Sequence, residues 1–181
     1  MTGRFCADLN PWRNSSDFGG RPIVDRKLSH PDFPVLCAQL NRHSVDYLVI
    51  GGWAAIIHGL PRSTLDVDLF VRPTEKNVSR LIEALSQIGH GIARELGVED
   101  ILARPVFLFA DQIRVDVFTK PWGLKSFDES WENRLAVQVD GIEIPVIGLE
   151  DLVRSKSTDR PQDIEDLKAI RALIDERKNR Q

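Results

Sequence analysis

Two aspartates one residue apart, Asp66 and Asp68, stand in the run Leu65-Asp-Val-Asp-Leu-Phe-Val71. Its apolar alternation predicts a strand over 65–71. Strand side chains alternate faces, so the two carboxylates share one face, roughly 6–7 Å apart at Cα, while Val67 and Leu69 point into a core. Like charges that close repel unless a cation lies between them. A hard divalent ion such as Mg²⁺ favours one or two carboxylates together with phosphate oxygens. Upstream, the apolar run Tyr47–Ile50 reads as a buried strand, punctuated by Gly51 and Gly52 and followed by a short helix, Trp53 to His58, that stops at Gly59. Glycine has no Cβ to keep a phosphate from the backbone, and a helix beginning there aims unpaired N–H groups at an anion. One loop thus offers an anion seat and the next strand a metal seat.

Between them, Arg62 can pair with a phosphate or with Asp68, and Thr64 can hydrogen-bond locally and shape the turn. Trp53 and His58 read as packing residues. His30, His43, His58 and His90 lack the spacing of a zinc site. Other Asp-x-Asp chemistries fit less well. An EF-hand loop needs glycine at its sixth position, where Val71 stands. A haloacid-dehalogenase-type phosphatase places an apolar strand before the first Asp, where Arg62-Ser63-Thr64 stand, and a metal-dependent glycosyltransferase usually needs a longer nucleotide-sugar domain. As plain surface acids, the pair would go unexplained.

The combination Ile50-Gly51-Gly52, a spacer, and Asp66-Val67-Asp68-Leu69 resembles the signature of the polymerase-β-like nucleotidyltransferase superfamily. With Arg62 and Thr64 ahead of the first Asp, it is similar to the small prokaryotic branch of AbiEii-type toxins, minimal nucleotidyltransferases and antibiotic-modifying enzymes. The Gly-Gly-Trp opening is also similar to lincosamide nucleotidyltransferases. The resemblance implies a third carboxylate on a neighbouring strand. Asp116, in Arg114-Val-Asp-Val-Phe118, matches it, although an acid between valines also suits a half-solvated sheet. The segment Lys156-Ser-Thr-Asp-Arg160-Pro-Gln-Asp163-Ile-Glu-Asp166 resembles a later motif of the AbiEii-like branch. By that likeness Lys156 reaches nucleotide phosphates and Asp163 orients it; the alternative is a charged helix start favoured by the macrodipole.

The resemblance then implies an enzyme. Asp66, Asp68 and Asp116 would be catalytic and hold two Mg²⁺ ions. Gly51, Gly52, Arg62, Thr64, Lys156 and Asp163 would bind a nucleoside triphosphate, ATP among the options. The nucleotide would pass to a hydroxyl of tRNA or other RNA, of a protein in a toxin–antitoxin setting, or of a small molecule such as an antibiotic. Serine often stands where Gly52 does in the superfamily, so backbone N–H groups would carry more of the phosphate contact here. A non-catalytic module binding nucleotide or protein is the competing class.

The surrounding elements follow from periodicity. Asp32–Arg42, Glu75–Ile88, Leu149–Ser155 and Pro161 to about Lys178 read as helices, the last with Ile164, Leu167, Ile170, Leu173 and Ile174 as its buried stripe. Thr74 is the N-cap of the second, with Asn77 in the place of a capping-box glutamate. Residues 93–100 read as loop or short helix, and Pro121 to Asn133 as a loop plus a short helix carrying Trp122, Phe127 and Trp131. Val106–Ala110 and Ile113–Thr119 form one hairpin, Leu135–Val139 and Ile142–Ile147 a second around Asp140-Gly141. The expected fold is α+β, a nucleotidyltransferase-like mixed sheet with helices mainly on one face.

Residues 1–30 read as a loose arm with Phe5, Leu9, Trp12 and Phe18 as anchors for its own domain or a second subunit of a homodimer; 31–181 read as a single domain. With 181 residues and a formal net charge of −3, the chain has no global electrostatic pull toward nucleic acid. Cys6 and Cys37 fit no redox or metal spacing, which suggests a reducing cytoplasm. No apolar run reaches membrane-spanning length, and no signal-peptide core is evident.

Overall fold

The computed structural model describes residues 32–179. The arm read over residues 1–30, with Cys6 and His30, lies outside them. Seven helices and six strands alternate through the described chain. They are α1 (Asp32–Arg42), β1 (Tyr47–Val49), α2 (Gly51–Ile57), β2 (Val67–Val71), α3 (Glu75–Leu85), α4 (Val98–Leu102), β3 (Val106–Ala110), β4 (Arg114–Phe118), α5 (Phe127–Glu132), β5 (Leu135–Val139), β6 (Ile142–Val146), α6 (Leu149–Ser155) and α7 (Pro161–Asn179). A 3₁₀ turn, Ile92–Glu95, precedes α4. The expected α+β class is the one observed. None of the described helices is long and apolar enough to cross a membrane.

The strands form one mixed sheet in the order β3-β4-β2-β1-β6-β5. Two hairpins flank a central antiparallel pair, β1 and β2, and join it through parallel contacts, β2 with β4 and β1 with β6. This arrangement positions the site. The C-terminal ends of β1 and β6 and the N-terminal ends of β2 and β4 all meet at one end of the sheet. The glycine corner, the acidic strand, Asp116 and the α6–α7 segment are therefore neighbours, although residues from 51 to 166 supply them.

Local chemistry explains the elements. Thr74 caps α3 by accepting the Asn77 N–H at 3.3 Å. The Asn77 side chain, buried, bonds both the N–H and the C=O of Asp46 and the C=O of Arg72. It ties the start of α3 to the loop before β1, a job no periodicity reveals. In the β5–β6 hairpin, Asp140 and Gly141 both take positive φ, 51° and 78°, the backbone of a type I′ turn.

Val67, Leu69 and Val71 of β2 and Val115 and Val117 of β4 are buried, and α1 and α3 pack together beneath the sheet with the same core. On the opposite strand face, Phe70 meets Phe127 of α5 edge-on at 5.2 Å. That helix covers the far part of this face and leaves the end near Asp68 open.

Several boundaries differ from expectation. Helix α2 begins at Gly51, so the glycines are its first turn and Ile50 its N-cap. Strand β2 begins at Val67, so Asp66 lies in the bend before it. Helix α3 ends at Leu85, with turns reaching Ile88. The largest change is in α7. Ile164, expected in its buried stripe, is 43% exposed, while Asp163 is only 5% exposed. The face of the first α7 turns that packs inward is acidic because cations wait there.

Candidate active site

Asp68 and Asp116 are direct partners in the parallel register of β2 and β4. Registered neighbours in a sheet point to the same side, so both carboxylates rise from the open face. Asp66 joins them from the bend before β2 and pairs with Arg114 of β4, Nε to Oδ1 at 3.2 Å. Burial pushes the Asp68 carboxyl up to about 6. The Gly52 N–H and Lys156 pull it down, while the charges of Asp116 and Asp66 add to the rise. Asp116 is also raised, first by burial and then by Asp66, against the pull of Arg114. Asp68 thus senses the charges of both Asp116 and Asp66, and Asp116 senses that of Asp66.

The glycine corner is built around this acid. Gly51 has φ +59°, and a Cβ there would lie 1.9 Å from Asp68 Oδ2. Gly52 donates its N–H to the same oxygen at 3.3 Å. A Cβ on Gly52 would meet Thr64 Oγ1 at 2.7 Å. Both glycines are therefore required by close approach of side chains. The Gly52 N–H, expected to face a phosphate, faces Asp68 instead. Thr64 plays the local part expected of it, its hydroxyl reaching the Asp66 carbonyl at 3.3 Å. Trp53 and His58 are buried packing residues. Trp53 stacks on Phe33 at 4.1 Å, and His58 Nε2 reaches the Ile147 carbonyl at 2.8 Å, tying α2 to the segment after β6.

A cation pair closes the other wall. Lys156 Nζ lies 2.9 Å from Asp163 Oδ1 and 3.0 Å from Asp166 Oδ2. Arg62 Nη1 meets Asp166 Oδ2 at 2.5 Å, and so pairs with Asp166 rather than with Asp68. Burial pushes the Asp163 carboxyl up, but the hydroxyl of Thr158 and the ammonium of Lys156 outweigh it and hold the pKa below the usual range. Asp166 is the residue that sequence reasoning missed as a site member. Its signal was its place one turn after Asp163 in the quoted motif. Gly51, Gly52, Arg62, Thr64, Asp66, Asp68, Lys156 and Asp163 line a cleft of about 540 Å³, whereas Asp116 and Asp166 are not part of its lining.

Three carboxylates on one open face make an all-oxygen donor set suited to a hard cation. Asp66 Oδ1 is enclosed and accepts no hydrogen bond, Arg114 being a charge partner only. The donors fit Mg²⁺ in kind. Among the described residues no three potential ligands are already gathered at metal-binding separation; Asp68 accepts from the Gly52 N–H and Asp66 pairs with Arg114.

The mixed sheet thus carries registered acids beside a glycine corner. Residues 31–180 match the model of the family described as "Nucleotidyl transferase of unknown function (DUF2204)", and the chain belongs to that family. Two solved structures are similar to it. One is an antigenic nucleotidyltransferase-like protein of Paracoccidioides brasiliensis, at 18% identity and a TM-score of 0.49, with 77% of this chain and 73% of that one covered. The other is a candidate nucleotidyltransferase of Thermotoga maritima, at 16% identity and 0.46, covering 78% and 89%. A comparison with curated proteins finds no match.

Proposed function

We propose that this chain is a Mg²⁺-dependent enzyme that moves a nucleotidyl group from a nucleoside triphosphate to a hydroxyl acceptor. The observation that carries this reading is the register of Asp68 with Asp116, Asp68 lining a cleft that Lys156 and Arg62 line as well. Asp66, Asp68 and Asp116 would hold the metal, which when bound neutralises phosphate charge and acidifies the acceptor hydroxyl.

The chain's own groups do the rest. Lys156 has three N–H donors, of which two face Asp163 and Asp166, leaving one for a phosphate oxygen. Asp166 holds Arg62 and Lys156 together, so their donors are already gathered for the β- and γ-phosphates and less entropy is lost on binding. The acceptor oxygen forms a bond to the α-phosphorus. The bond from that phosphorus to its bridging oxygen breaks, and pyrophosphate leaves with the electron pair. The acceptor proton passes to Asp116, which burial and the charge of Asp66 make more basic than a free carboxylate.

The acceptor we favour is a macromolecular hydroxyl, RNA such as a tRNA end or a protein, as in AbiEii-type toxins. The pairing of Lys156 with Asp163 supports that branch, because it joins the two residues the resembling motif singles out. Incubation with each α-labelled nucleoside triphosphate, Mg²⁺ and a cell extract is the test. A labelled macromolecule is expected, and the Asp66→Ala/Asp68→Ala protein should label nothing. Label on a small molecule would move the chain to the antibiotic-modifying branch. Undiminished labelling by the double variant would remove the mechanism, and nucleotide binding without pyrophosphate release would leave a binding module.

A further inference from the structure

Of the tryptophans described, Trp53 and Trp131 are spent on packing, the first against Phe33 and the second against Phe127 with Arg134 over its ring. Trp122 is 72% exposed. It is exposed yet held. Its indole N–H donates to the Ser157 carbonyl at 3.2 Å, one residue from the Lys156 ammonium. The next residue, Gly123, has φ +74°, and a Cβ there would lie 2.3 Å from the Arg154 carbonyl oxygen. The loop backbone is therefore pressed onto the C-terminal end of α6. The ring cannot drift without breaking this contact.

The ring also borders the cleft. The lining includes the charged Asp66, Asp68, Arg62 and Lys156 and the apolar Phe118, Pro121, Trp122 and Pro161, with Arg160 and Asp163 among them. A second hollow of about 440 Å³ adjoins it, and Trp122 and Arg160 line both. A nucleoside triphosphate needs both kinds of group, cations for an anionic tail and apolar surface for a flat, weakly polar base. With its phosphates on Lys156 and Arg62, its base comes to the apolar lining.

We propose that Trp122 is the stacking platform for the base of the incoming nucleotide, with Arg160 at its rim. The inference rests on the nucleotide reading of the cleft and adds the residue that grips the base. Stacking on an aromatic face tolerates every base, so the platform favours nucleotides over bare phosphate chains and discriminates weakly among the four.

Calorimetry in Mg²⁺ with ATP, CTP, GTP, UTP and inorganic triphosphate tests this. Trp122→Ala should weaken all four nucleotides by about 5- to 30-fold, the lower part of the range for one stacked base, and leave inorganic triphosphate unchanged. Trp122→Phe should restore most of the loss. Unchanged nucleotide affinity in Trp122→Ala overturns the platform and spares the nucleotide reading. Equal weakening of nucleotide and inorganic triphosphate also overturns it, since the indole would then only brace the loop beside Lys156. If the wild-type chain binds neither ligand, the nucleotide reading itself falls.

Discussion

Asp68 shows at the residue scale how function and stability oppose each other. Its carboxyl is raised from 3.8 to about 6 by burial, with the charges of Asp116 and Asp66 adding to it, so its ionised form is disfavoured in the folded, metal-free chain. An acid with a raised folded pKa leaves stability intact below its unfolded pKa and costs stability as pH rises through the folded one. Asp68→Asn should therefore stabilise the folded chain in chelator at pH 7–8 by on the order of 1–3 kcal/mol, seen as a raised melting temperature. The gain should shrink as pH falls from 6 toward 4 and vanish below that. The same variant should lose nucleotidyl transfer. Thermal melts across pH read the first effect and labelled-nucleotide assays the second. A destabilised Asp68→Asn protein at neutral pH would mean that the Gly52 contact outweighs burial. The sequence marked Asp68 by its spacing from Asp66. It did not mark the glycines' second task, making room for the carboxylate and for Thr64, because that contact depends on how β1 and β2 pair.

At the scale of elements, the first turns of α7 differ from an ordinary amphipathic helix. Ile164 faces outward while Asp163 and Asp166 are buried. The sequence period placed the apolar stripe correctly at Ile170, which is buried, but could not show that Lys156 and Arg62 would meet the acids. Arg62 lies 104 positions from Asp166. Removing one member of a buried charge cluster leaves its partners uncompensated, which ordinarily costs a few kcal/mol. Asp166→Asn should therefore destabilise the chain by roughly 3 kcal/mol. It should also lower kcat/KM, since Arg62 and Lys156 lose their common anchor. Lys125→Ala, which breaks an exposed pair with Glu129 on α5, should stay within about 0.5 kcal/mol. Denaturant titrations compare the two directly. Equal, small effects would mean that solvent screens the α7 cluster as well.

For the whole molecule, the hydrophobic core runs from Phe33 in α1 to Ile170 in α7, and the family match spans residues 31–180. We expect residues 31–181 to be an autonomous domain. A chain beginning at residue 31 should unfold in one transition, within a few degrees of the full-length protein. A broad or strongly lowered melt would assign the first thirty residues to the core instead of to an arm.

The sequence by itself determined the helices α1 and α6 and the two hairpins, because side-chain period and turn chemistry are local, and it singled out the acids at 66, 68 and 116 as candidates. Only the tertiary structure decided that β4 lies parallel beside β2 with Asp116 level with Asp68, that Asp166 gathers Arg62 and Lys156, and that Trp122 stands at the mouth of the same cleft. Those are contacts between distant parts of the chain. Strand order and register fix them, and no local pattern of residues encodes either.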